Sequence, residues 1–154
     1  MDIALKNFPA LVVFLIVVMG GGALIGTMTA PGDWYAALVK PSFNPPNWVF
    51  APVWTCLYIL IAIAGWRTWE RDRKSASMMI WFAQMALNLA WSPVFFGAGV
   101  LGGALIIIIA MVVLILSFIA TRWNSDRLAA WLFVPYALWV AFATLLNASI
   151  WWLN

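Results

Sequence analysis

From Ser75 to Thr121 the chain reads SASMMIWFAQMALNLAWSPVFFGAGVLGGALIIIIAMVVLILSFIAT, without one Asp, Glu, Lys or Arg. One helix crosses the hydrocarbon core of a bilayer with about 20 apolar residues, so this run is too long for a single span. Gly97, Gly99, Gly102 and Gly103 fall near its middle. Glycine clusters break helices, and two spans are expected, at 76–96 and 101–122. Three more uncharged runs flank it, Asn7–Gly32, Pro41–Trp66 and Leu128–Asn154. Each has room for one helix, at 8–30, 47–67 and 128–151. The expected fold is an all-α integral membrane protein, a five-transmembrane-helix bundle with a long ordered loop between its first two spans, forming one domain over residues 1–154.

Composition agrees. The chain is 66% hydrophobic and 8% charged, outside the range of soluble domains. Lys6 precedes an apolar stretch, as in a secretory signal. That stretch is too long for a signal core and no small-residue cleavage site follows, so a retained helix is expected. The lone Cys56 excludes an internal disulfide. Without His or a Cys cluster, no protein-made metal site is expected. The spans hold no carboxylate for general acid–base catalysis. They also lack the intramembrane ionisable groups and the repeats of ion-coupled transporters.

Charge sets the topology. With five spans the N-terminus and the 67–75 and 122–127 loops share one side. That side collects Lys6, Arg67, Arg71, Arg73, Lys74, Arg122 and Arg127, which leaves Lys40 alone among the eight basic residues on the other. The positive-inside rule then puts the N-terminus in the cytoplasm and the C-terminus outside. A bacterial cell membrane is the expected location. The net charge of +3 thus reflects topology, and no soluble basic patch points to nucleic acid.

Twelve tryptophans have two available roles. An indole anchors helix ends at the membrane interface, or offers a flat face and one donor to a ligand. Trp66, Trp69, Trp123, Trp131, Trp151 and Trp152 fall at predicted helix ends and read as a belt; Trp81 reads as lipid-facing. Trp34, Trp48, Trp54, Trp91 and Trp139 remain as pocket candidates. Gln84, Asn88, Trp91, Ser92 and Phe95 form one stripe on the third span at helical spacing. Tyr136, Trp139, Val140, Ala143 and Asn147 form another on the fifth, and Trp54 and Tyr58 lie one turn apart on the second. Uncharged polar groups at membrane depth face the protein interior. Asn88 and Asn147 suit either a pocket or a bond between helices; Gln84 suits the bond. Gly22 and Gly26, and Ala86 and Ala90, are small pairs that let helices approach. Pro135 is expected to kink the fifth span.

The longest connection, PGDWYAALVKPSFNPPN from Pro31 to Asn47, lies on the charge-poor side. Its prolines and aromatics predict an ordered lid, with a short helix capped by Asp33. The alternative is an interfacial segment with Trp34 and Tyr35 among lipid headgroups.

Four stretches carry a resemblance. W-Y-x-x-L-x-K-P-x-x-x-P-P (Trp34–Pro46) is followed by W-V-F-x-P-V-W-T-x-L-Y (Trp48–Tyr58). N-x-x-W-S-P-x-F-F-G (Asn88–Gly97) and V-P-Y-x-L-W-x-x-F-A-T-x-L-N (Val134–Asn147) complete the set. Together they resemble the tryptophan-rich sensory protein (TspO) family, whose mitochondrial relative is the translocator protein or peripheral benzodiazepine receptor. The resemblance implies a homodimer, with the third span favoured at its interface, and a pocket closed by the first loop. It implies binding of porphyrin, haem and benzodiazepine-type ligands, with no required cofactor. The ligand-binding residues expected on this basis are Trp34, Tyr35, Pro45, Trp48, Trp54, Tyr58, Asn88, Trp91, Phe95, Trp139, Ala143, Leu146 and Asn147. Lys40 is a candidate partner for a propionate. The tail ATLLNASIWWLN lacks the Tyr and basic residue of the proposed sterol motif, so tight sterol recognition there is not expected.

Three functions follow. The leading one is a tetrapyrrole receptor or sensor with a regulatory role. A light- or redox-dependent porphyrin-degrading enzyme, with Trp54 and Trp139 as catalytic electron donors, is the first alternative. A facilitated transporter of hydrophobic ligands is the second.

Overall fold

The computed structural model describes residues 7–154, and Lys6 lies outside them. Among the described residues there are helices and no strands. Five are long and apolar enough to cross a membrane. They include α1 (Phe8–Met28), α3 (Phe50–Arg71) and α4 (Ala76–Ser92), then α5 (Leu101–Arg122) and α6 (Arg127–Leu153). The short α2 (Asp33–Ala37) and a 3₁₀ turn (Asn47–Val49) belong to the loop after α1.

Local chemistry sets the helix ends. Pro9 sits in the first turn of α1, where its missing N–H costs nothing. Ser75 caps α4 by accepting from Met78 N at 3.2 Å, and Asp126 caps α6 by accepting from Ala129 N at 3.3 Å. The predicted break in the long uncharged run occurs, but one glycine makes it. α4 passes into a π-helical turn, Pro93–Gly97, and Gly99 at φ 68° reverses the chain, a conformation that favours glycine. Gly102 and Gly103 lie inside α5.

The first and second predicted spans need correction. α1 stops at Met28. α3 runs to Arg71, four residues past its predicted end, because Arg67 and Arg71 both reach Asp126 from the helix (2.9 Å each). A charge ends a hydropathic run without ending a helix. The lid helix is shorter than DWYAALV and begins at Asp33, with Gly32 in the cap position and no side-chain cap bond.

The helices close into a ring. α1 packs on α3, α3 on α6, α6 on α5 and α5 on α4, while α4 makes slighter contacts with α1 and α3. Phe118 and Phe133 stack at 4.1 Å between α5 and α6 in the middle of the core. The two ends are tied differently. At the N-terminal end Asn7 of α1 donates to Glu70 of α3, and Asp126 holds Arg67 and Arg71. At the opposite end, the lid is fixed to the last turn of α6. Val39 N donates to Asn154 Oδ1 at 3.0 Å, and Asn154 Nδ2 donates to Val39 O at 2.9 Å.

Two tryptophans are corrected. Trp81 does not face lipid and is 2% exposed. Its indole enters a notch at Gly65, where a Cβ would lie 2.5 Å from the ring, and Nε1 donates to Ile61 O at 3.0 Å. Trp66 is no belt residue either; at 7% exposed it faces the bundle from the body of the longer α3. Trp123, Trp131, Trp151 and Trp152 are exposed at helix ends, as a belt requires.

Candidate functional site

Beneath the lid the bundle encloses a cavity of about 660 Å³, within the size range of small-molecule sites. α1 contributes Met19, Gly22, Ala23, Ile25 and Gly26, with Thr27 and Thr29 near its end. α3 contributes Phe50, Ala51, Trp54, Thr55 and Tyr58. Asn88, Trp91 and Ser92 come from α4, Phe96 from the π turn, Ile108 and Met111 from α5, and Trp139 and Ala143 from α6. Pro31, Tyr35 and Asn47 close it from the lid. None of these residues is charged.

Each lining tryptophan is braced by other aromatics. Trp91 stacks on Phe95 at 4.9 Å and 26°, and its Nε1 donates to Asn147 Oδ1 at 3.1 Å. Asn147 in turn donates to Leu101 O at 3.0 Å. Trp54 lies 5.3 Å from Tyr58 and 6.3 Å from Tyr136, while Trp139 meets Phe50 edge-on at 5.8 Å. Among the described residues the Trp139 Nε1 is buried without an acceptor.

The floor is a chain of neutral hydrogen bonds. Tyr58 donates to Asn88 Oδ1 (3.1 Å), Asn88 Nδ2 donates to Tyr136 (2.7 Å), and Tyr136 donates to Gln84 Oε1 (2.8 Å). It ties α3, α4 and α6 together at membrane depth, where an unsatisfied polar group is costly. Near the lid the hydroxyls of Thr29 and Ser92 lie 2.6 Å apart, joining the ends of α1 and α4.

The structure brings together Tyr35, Trp54, Tyr58, Asn88, Trp91, Trp139 and Ala143 from the sequence-derived set. Phe95 and Asn147 are buried against Trp91 rather than on the lining, and Leu146 is buried outside it. Trp34 lies outside the lining, packed edge-on against Phe95 at 6.4 Å and over Gly99. Trp48 is 74% exposed, because the 3₁₀ turn that presents Asn47 to the cavity directs the next side chain outward. Pro45 stays in the loop. Lys40 does not reach the cavity. Its Nζ donates to Ala36 O and Leu38 O at 3.3 and 3.1 Å and sits 4.6 Å from the Tyr35 ring centre. Burial pushes the Tyr35 phenol above its ordinary pKa, against a smaller downward pull from the Asn44 side chain.

Sequence reasoning missed the α1 wall and the α5 lining. Thr27 and Thr29, two hydroxyls ending an apolar run, were an available signal. Ile108 and Met111 carried none. Among the described residues no cluster of His, Cys, Asp or Glu is able to hold a metal.

The model of the TspO/MBR family matches residues 12–153. The chain is similar to protein CrtK of Rhodobacter capsulatus, at 37% identity over 84% of this chain and 83% of that one. It is similar to a tryptophan-rich sensory protein of Cereibacter sphaeroides, at 36% identity over 94% and 92%. It is also similar to the translocator protein of Homo sapiens, at 34% identity over 84% and 82%.

Proposed function

The chain belongs to the TspO/MBR family, and on that premise we propose that it is a membrane receptor for flat, mostly apolar ligands of the tetrapyrrole and benzodiazepine type, with a regulatory role. The observation that carries this reading is the uncharged cavity under the lid, with Trp54, Trp91 and Trp139 on three different helices. Indole faces suit a planar macrocycle, and the Trp139 side chain belongs to the lining. In the proposed orientation the N-terminal end is cytoplasmic, in a bacterial cell membrane. The proposed homodimer uses the outward face of α4, where Met79, Phe82, Ala83 and Ala86 are exposed.

Trp54 and Trp139 also support a second reading, light-dependent breakdown of a bound porphyrin, since both indoles face the same space. Titration of the purified protein with protoporphyrin and haem, in darkness and in light, tests both. Saturable tryptophan quenching without loss of the porphyrin band supports the receptor. Light-dependent loss of that band supports the enzyme. No saturable quenching removes both.

A further inference from the structure

At the N-terminal end Arg67 and Arg71 of α3 and Arg122 of α5 share one end of the bundle, close enough for Arg71 to act on the Arg122 charge. Arg67 binds Asp126 through two nitrogens, at 2.9 and 3.1 Å, and Arg71 Nε binds the same carboxylate at 2.9 Å. Asp126 also accepts from Ala129 N, so both of its oxygens are committed. Arg122 is left out. Although only 5% exposed, among the described residues it has a single partner, the neutral Ser75 Oγ at 2.9 Å, and its Nε has none. Among the described residues, Asp126 and Asp72 favour the Arg122 charge and Arg71 opposes it. Glu70 turns instead to Asn7 on α1. Arg71 uses only its Nε, and its side chain is 32% exposed.

A buried guanidinium with spare donors is costly until an oxyanion meets them. Phosphate, with several acceptor oxygens, matches the guanidinium fork. The depth also fits, since this is the end of the spans where headgroups lie. Trp123 and Trp131 are exposed there with ring centres 5.7 Å apart, and the Arg127 guanidinium is 5.6 Å from the Trp123 ring centre. We propose that Arg122 and Arg71 form a phosphate-binding site at the N-terminal end of the bundle, separate from the cavity, taking the phosphate of an anionic lipid or a free phosphate.

Native mass spectrometry of the full chain in neutral detergent tests this, with dioleoylphosphatidylglycerol, dioleoylphosphatidylcholine and inorganic phosphate as probes. The wild type is expected to prefer the anionic lipid at least tenfold. Arg122→Gln and Arg71→Gln abolish that preference, whereas Arg122→Lys keeps most of it. Competition by millimolar inorganic phosphate identifies a site for the anion alone. Absence of competition identifies one that needs the lipid, and either result upholds the site. Equal binding of the two lipids overturns it. So does an unchanged preference in Arg71→Gln, whose exposed position makes it the variant least at risk of misfolding. Arg73→Gln and Lys74→Gln are the controls for diffuse surface charge; a loss as large as that in Arg71→Gln also overturns the proposal.

Discussion

The Tyr58 ring occupies the space that a side chain on Gly22 would need: a Cβ there would lie 2.2 Å from the ring. The hydroxyl that donates to Asn88 is thus positioned partly by an absence on α1. Overpacking of this kind costs about 1–3 kcal/mol. Gly22→Ala should lower the thermal stability of the purified protein and weaken ligand binding. Gly26, four residues on, has no atom within 4 Å of its would-be Cβ, and Gly26→Ala should leave stability nearly unchanged. Equal effects of the two substitutions would show that Tyr58 does not depend on this contact.

The tryptophans divide by position. Loss of an aromatic stacking partner costs about 0.5–1.5 kcal/mol beyond lost area, roughly a threefold to tenfold loss of affinity. Trp54→Phe and Trp139→Phe should each weaken porphyrin binding by that factor, and should abolish any light-driven loss of porphyrin. Trp151→Phe and Trp152→Phe, on the exposed end of α6, should change neither. Fluorescence titration of the four variants decides. Equal losses in both pairs would move the site toward the membrane surface.

Ala143 lines the cavity from α6. Added volume there enters open space rather than packed core, so Ala143→Phe should lower affinity for a bulky ligand at little cost in stability. Unchanged affinity, measured by the same titration, would take Ala143 out of the site.

Asp126 makes stability depend on pH. Burial pushes its carboxyl upward, but the Arg67 hydrogen bond, the Ala129 N–H and the charges of Arg67 and Arg71 outweigh it and hold the group below its ordinary value. A depressed carboxyl stabilises the fold above its unfolded pKa, and that contribution is lost as pH falls through the folded one. Stability should therefore decline in acid below the ordinary carboxylate value of 3.8. Breaking a buried pair costs 3–5 kcal/mol, and partial exposure of Arg71 brings the expected cost of Asp126→Asn to about 2–3 kcal/mol. Thermal melts between pH 3 and pH 7 (~0.1 M salt) should show a flatter acid profile in the variant. Parallel profiles would mean that Asp126 does not carry the effect.

The bundle was legible in the sequence because lipid excludes charge, and uncharged runs of sufficient length therefore announce spans. What such runs hide is the face a helix presents. Trp81 and Trp66 sit in or at the end of uncharged runs, and only the notch at Gly65 shows why Trp81 is buried. The end of α3 was hidden for a related reason, since Arg67 and Arg71 look like a loop until Asp126, distant in sequence, pairs with them. At the site, helical spacing was enough to align Trp54 with Tyr58, and Asn88 with Trp91. It was not enough for Trp34 and Trp48, whose directions depend on turns after Gly32 and Pro46. The α5 lining offered only Ile108 and Met111, two ordinary residues in a uniformly apolar helix.

The paired bonds between Val39 and Asn154 make one side-chain amide responsible for two parts of the molecule. The same amide donates to Ile150 O and so closes the last turn of α6. Fraying of that turn therefore also loosens the lid at Val39, while Tyr35 stays packed against Phe95 and Phe96. Tension applied at Asn154 would release Val39 and slacken the lid before any spanning helix left the bundle. Under load the protein should yield in two stages, a small early extension for the lid and a later, larger one for the helices.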